Sequence, residues 1–144
     1  MPVFVRDTAM ASAYAYFDPQ VGKLLEEVWP GRTTVVLRKK ESMPDLVTGG
    51  ERTVGMRIPG HPFLAALLAA YPNPLTGTSA NLSGSEPAAS GVDVQLVFQR
   101  HIPRPDLLVD GGMLPASSAS TVLDITNPSN PRILRMGAIT KEKL

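Results

Sequence analysis

Thr33-Thr34-Val35-Val36-Leu37 is the stretch on which the fold turns. Its β-branched and aliphatic residues read as a core strand that gives way to a surface loop at Arg38-Lys39-Lys40-Glu41 and runs polar to Gly49-Gly50. Upstream, Asp18-Pro19 opens a helix, because the aspartate accepts free N–H groups while proline takes the first helical position. Val21, Leu24, Leu25 and Val28 follow at helical spacing, and Trp29-Pro30-Gly31 ends the helix. Further upstream, Val3-Phe4-Val5 reads as a short strand, with Asp7 or Thr8 capping a helix through Ala9 to Tyr16.

Downstream, Thr53 to Ile58 is a second strand stopped by Pro59-Gly60, and Pro62 opens the apolar helix Phe63 to Tyr71. Leu75 to Thr78 is extended, Ser79 to Ser90 is a small-polar loop, and Asp93 to Arg100 is helical. Strands are expected at Asp106–Asp110, Ser120–Thr126 and Arg132–Arg135. βα-like units followed by successive strands predict one mixed α/β domain over residues 1–144, with no solenoid repeat.

Composition narrows the functional classes. Fourteen Lys and Arg against thirteen Asp and Glu give a net charge of +1, too small for a basic footprint in the average. Fourteen prolines and twelve glycines without a triplet period favour a loop-rich fold. The absence of cysteine removes disulfides, zinc knuckles, iron–sulfur clusters and thiol nucleophiles, and fits a cytoplasmic address. The apolar run Phe63 to Tyr71 is about half of the ~20 residues a membrane span requires. There is no GxxxxGK[ST] loop, GxGxxG turn, HExxH or GxSxG elbow, and His61 and His101 have no carboxylate at ligand spacing.

Thr76-Gly77-Thr78-Ser79-Ala80-Asn81-Leu82-Ser83-Gly84 carries the most chemistry. On extended backbone, Ser79 and Asn81 would share one face with small neighbours, a surface suited to a phosphate. The alternative is a polar turn whose side chains bond their own backbone. Arg57 before Pro59-Gly60, the hydroxyl cluster Ser117 to Thr121, and Arg135 before Gly137 add guanidinium forks and hydroxyls at strand ends, where open α/β sheets place ligands.

The order of these landmarks resembles the YrdC-like domain of threonylcarbamoyl-AMP synthases. Trp29-Pro30-Gly31 leads into the Thr33 strand, Val54-Gly55-Met56-Arg57-Ile58-Pro59 precedes His61-Pro62, and Thr78-Ser79-Ala80-Asn81-Leu82-Ser83-Gly84 follows. Asp110-Gly111-Gly112, Ser120-Thr121-Val122-Leu123-Asp124 and Ile133-Leu134-Arg135-Met136-Gly137-Ala138 complete the series. The resemblance implies an open, twisted mixed β-sheet with flanking helices around a concave site. It also implies the reaction of L-threonine, bicarbonate and ATP to threonylcarbamoyl-AMP and pyrophosphate, for a tRNA modification beside the anticodon.

Residue by residue, the resemblance makes Ser79, Asn81, Arg135 and Thr53 contacts of ATP, and Arg57 and Ser120 contacts of threonine. Ser79, Asn81 and Arg135 are expected to line one pocket. It implies magnesium carried in by ATP, no protein metal cage, and no catalytic side chain, since a carbamate oxygen attacking an α-phosphate needs positioning and charge neutralisation above all. The implied partners beyond the substrates are tRNA or double-stranded RNA and other tRNA-modification proteins.

Two departures qualify the expectation. Arg32 stands where the family has proline, and the family's Lys-x-Arg motif does not occur in the 144 residues. Met1 to Val5 resembles the strand just downstream of that motif, so the expectation is an N-terminally truncated domain with poor turnover. Two alternatives stay open: a noncatalytic nucleotide- or RNA-binding module, and part of a carbamoyl-transfer enzyme.

Overall fold

The computed structural model describes residues 1–137; Ala138, the last landmark above, lies outside them. In chain order the elements are β1 (Val3–Phe4), α1 (Thr8–Tyr14), β2 (Ala15–Tyr16), α2 (Pro19–Val28), β3 (Thr33–Lys39), α3 (Asp45–Thr48), β4 (Thr53–Arg57), α4 (Pro62–Ala70), β5 (Leu75–Thr76), α5 (Gly91–Phe98), β6 (Thr121–Asp124) and β7 (Arg132–Arg135). They fall into two compact units: Met1–Gly77 with the described part of Ser118–Leu144, and Thr78–Ser117.

The first unit is a mixed sheet of strand order β5-β1-β4-β3-β6-β7. β3 is antiparallel to β4 on one edge; on the other it pairs in parallel with β6 along Thr33–Val36 and antiparallel with β2 at Arg38 and Lys39. Strand alternation splits the sheet cleanly. Val3, Val5, Val35, Leu37, Val54, Met56, Leu123 and Ile125 are buried together with Met10 and Ala11 of α1 and Val21, Leu25 and Val28 of α2. The opposite parity carries Phe4, Thr53, Gly55, Arg57, Thr34, Val36 and Val122.

Both caps read from sequence form. Met10 N–H donates to Asp7 (2.7 Å) and Val21 N–H to Asp18 (2.8 Å). The bond from Met10, with the Arg6 side chain beside it, holds the Asp7 carboxyl below the usual carboxylate range. The first helix ends at Tyr14 instead of Tyr16, because Ala15 and Tyr16 find a strand partner in Lys39 and Arg38. The expected surface loop after β3 holds the single turn α3, closed by Gly49 at φ 67°.

In the second unit, Ser90 caps α5, accepting from Asp93 N–H (3.1 Å) while its hydroxyl donates to the Asp93 carboxylate (2.7 Å). Gly91 packs closely there: a Cβ would lie 2.6 Å from Asp110 Cγ, so any larger residue would have to displace that carboxylate. The strand expected at Asp106–Asp110 does not form. The second unit contains no strand to pair it, Leu107 is 80% exposed, and Asp110 is held by its side chain, which accepts from Gly112 N–H (2.9 Å).

Asp124 closes β6. Burial pulls its pKa up, but hydrogen bonds from Thr126 and the Arg132 guanidinium (3.0 Å) outweigh this and hold it below the ordinary value. A depressed folded-state pKa contributes stability above the unfolded-state pKa, and that contribution is lost as pH falls through the folded value. Asp124→Asn should therefore lower stability at neutral pH and flatten the acid limb of the stability-versus-pH curve, measured by urea unfolding. A parallel downward shift with an unchanged acid limb would contradict this.

Candidate functional site

The second face of the sheet carries a lateral row of side chains. Phe4 lies opposite Arg57, Thr34 opposite Val122, and Val122 opposite Arg135. Continuing the β3/β4 register by one residue from Val35–Met56 sets Arg57 beside Thr34. Arg57, Thr34 and Arg135 thus share one face across four strands. At the usual strand spacing the two arginine backbones are about 14 Å apart.

Arg57 is positioned from two directions. Its Nε donates to Gly31 O (2.6 Å), and its guanidinium carbon lies 5.9 Å from the Phe4 ring centroid. Gly31 is fixed in turn by its N–H to Ile58 O (2.9 Å), while Trp29 Nε1 donates to Thr33 O (2.9 Å). A Cβ at Gly31 would sit 2.8 Å from Val28 O, so this turn requires glycine. With Nε committed, the two Nη groups form an end-on fork suited to a carboxylate. Burial, then the charge of Arg32, moves the Arg57 pKa below its ordinary value.

Arg135 reaches the same face through a β-bulge. The β6/β7 register shifts between Val122 and Leu123, so Arg135 lies opposite Val122 where regular pairing would put Leu134. Its Nε and Nη2 donate to Ser120 O (3.1 and 2.8 Å), and Nη2 also to Ser120 Oγ (3.0 Å). Ser120 Oγ is also 3.1 Å from Thr34 Oγ1. Two residues expected to hold different substrates are therefore in direct contact, joined by Thr34, which sequence reasoning missed. A hydroxyl inside a core strand was the signal available for it.

Arg32 is a brace: its Nη2 donates to Ser118 O (2.5 Å) while its carbonyl accepts from Thr121 N–H (3.1 Å). Arg6 is paired with Asp7 (2.8 Å). Thr53 opens β4 opposite Arg38. Gly137 comes close to β6, its N–H donating to Thr121 Oγ1 (3.1 Å).

Ser79 and Asn81 belong to the second unit. Asn81 N–H donates to Ser79 O (3.0 Å), a tight turn, so of the two readings of this stretch the polar turn forms and the extended backbone with its shared face does not. The Asn81 amide donates to Leu82 O (3.0 Å) and Ser85 O (2.7 Å), so its two N–H donors brace the loop. Ser79 is exposed at the start of the same loop.

Sheet order, register and this row define an open mixed-sheet α/β protein that presents guanidinium forks and hydroxyls on one face. The chain belongs to the Sua5/YciO/YrdC family, whose model, described as telomere recombination, matches residues 1–137. It is 33% identical over all 144 residues to a putative threonylcarbamoyl-AMP synthase of Methanocaldococcus jannaschii, covering 65% of that protein. The structure matches that of Pyrococcus abyssi Sua5 complexed with L-threonine at TM-score 0.86 and 30% identity, over 99% of this chain and 41% of the other. It matches Escherichia coli YciO at 0.84 and 29%, over 99% and 68%. The chain spans 34% of the length of the curated P. abyssi synthase it matches.

Gly31→Ala should cost about 1–3 kcal/mol, the usual range for overpacking against a fixed neighbour. It should also release Arg57 Nε from its carbonyl. Urea unfolding reads the first effect and loss of the protected Arg57 Nε–H NMR signal the second; a stable variant that keeps this signal would contradict the assignment.

Proposed function

We propose that the chain carries the threonine- and ATP-binding sheet of an L-threonylcarbamoyladenylate synthase. The observation that supports this most is the Arg57 fork, set end-on by Gly31 O on the face that also holds Ser120 and Arg135. Similarity to a Sua5 structure complexed with L-threonine supports the same reading.

In this reading the threonine amine and bicarbonate give a carbamate with loss of water. A carbamate oxygen then forms a bond to the ATP α-phosphorus as the bond to the pyrophosphate oxygen breaks. No protein nucleophile is needed; the work is positioning and charge neutralisation. Arg57 holds the threonine carboxylate, with Ser120 also on the amino acid. Arg135 holds phosphate, with Thr53, Asn81 and the exposed hydroxyl of Ser79 as further ATP contacts, the Asn81 amide also keeping the Ser79 loop in shape. Magnesium enters with the triphosphate. The adenylate would serve tRNA modification in the cytoplasm, with tRNA and other modification proteins as partners.

Arg57→Lys keeps the charge but loses both the fork and the bond to Gly31 O. By calorimetry it should weaken L-threonine binding by about 10-fold, the scale of one charged hydrogen bond, and leave ATP binding nearly intact. Equal loss of both ligands, or no loss, would overturn the division of roles. Pyrophosphate release by these 144 residues alone should be near background, because they contain no Lys-x-Arg pair and one missing preorganised cation or donor can cost ~100-fold. Release at an ordinary enzymatic rate would show that other cations neutralise the leaving group.

A further inference from the structure

A cavity of the first unit, about 700 Å³, lies on the β3 edge opposite β4, in the notch between β2 and the end of β6. None of the six residues assigned to threonine or ATP lines it. Its walls include Tyr16, Phe17, Asp18, Arg38, Thr126 and Asn127. The volume is within the range of small-ligand sites.

The wall chemistry is specific. Tyr16 is 59% exposed, an aromatic ring held at a sheet edge by the pairing of its backbone with Arg38. Of the three cations of Arg38-Lys39-Lys40, two are spent internally. Lys39 Nζ bonds Met43 O and pairs with Asp45, and Lys40 Nζ donates to Ser12 O (2.6 Å) with its charge 5.2 Å from the Tyr16 ring centroid. Arg38 is exposed and, among the described residues, makes no side-chain hydrogen bond or ion pair. Asn127 accepts from Ser129 N–H through Oδ1 (3.2 Å), leaving its amide donors available. Asp18 uses Oδ1 to cap α2, leaving Oδ2 as an acceptor.

We propose that this notch binds a single nucleotide: a base stacked on Tyr16, with base-edge hydrogen bonds to Asn127 and Asp18, and one phosphate held by Arg38. An aromatic face stacks on any base, and one free guanidinium matches one phosphate, whereas a phosphate track would need several. Arg38 is five residues along β3 from Thr33, which pairs with Thr121 beside Ser120, so about 17 Å of strand separates the notch from the Ser120–Arg135 cluster, and Thr53, opposite Arg38 on β4, is the one residue of the ATP assignment next to it. A free mononucleotide and one nucleotide of a single-stranded RNA offer the same chemistry.

Amide NMR of the full chain titrated with AMP tests this. Saturable shifts are expected at Tyr16, Phe17, Arg38, Thr126 and Asn127, with a dissociation constant of order 1 mM or tighter. Arg38→Ala should weaken that response about 10-fold while leaving AMP-induced shifts at Thr34 and Ser120 unchanged; Arg135→Ala should do the reverse, so failure of one site does not imply failure of the other. Tyr16→Leu should abolish the preference for AMP over ribose 5-phosphate. A short single-stranded oligoribonucleotide that shifts the same amides and is displaced by AMP assigns the notch to RNA, and AMP binding without oligonucleotide binding assigns it to the free nucleotide. The proposal is overturned if these amides do not respond to either probe, or if inorganic phosphate reproduces the response at the same concentration.

Discussion

Everything on the functional face depends on the alternation of β3. Its register with β4 and β6 turns Thr33, Val35 and Leu37 into the helix-covered core and Thr34, Val36 and Arg38 to the other side. A slip of one residue would exchange the two sets: Thr34 and Val36 would stand in for Thr33 and Val35, but Arg38 would take the buried place of Leu37, whose burial alone is worth about 1.5–3 kcal/mol. The apolar face therefore locks the polar one. Thr34 is beside Arg57 and in contact with Ser120 because Val35 and Leu37 must be buried against α1 and α2.

On this locked sheet, two local devices aim the cations. The Trp29-Pro30-Gly31 turn presents a carbonyl to Arg57 Nε, so the guanidinium plane is set before any ligand arrives. The bulge in β7 substitutes Arg135 for Leu134 opposite Val122, leaving Leu134 as the extra residue, 56% exposed. Preorganisation of this kind lowers the ordering cost of binding, which suits a reaction whose protein contribution is geometry and charge.

Much of this was legible in the sequence. The caps at Asp7 and Asp18, the Thr33 strand, the apolar helix after Pro62 and the last two strands announce themselves through residue type and spacing. The strand expected at Asp106–Asp110 was misleading because apolar composition cannot supply a pairing partner. At Ser79–Asn81 the same small residues serve extended and turning backbone, so both readings stood in the sequence, and the polar turn that bonds its own backbone is the one that forms. The contacts of Arg135 depend on a bulge and those of Arg57 on a carbonyl in a distant turn. Neither leaves a pattern in a single sequence, so these residues could be singled out but not placed.

The central claim is that the face set by β3 receives the amino acid at Arg57. A crystal structure of this chain with L-threonine and a non-hydrolysable ATP analogue tests it most directly. The account predicts the threonine carboxylate on both Nη atoms of Arg57 at charged hydrogen-bond distance, roughly 2.7–2.9 Å, with Nε still on Gly31 O. Threonine bound away from Arg57, or an Arg57 that leaves Gly31 to reach another group, would contradict it.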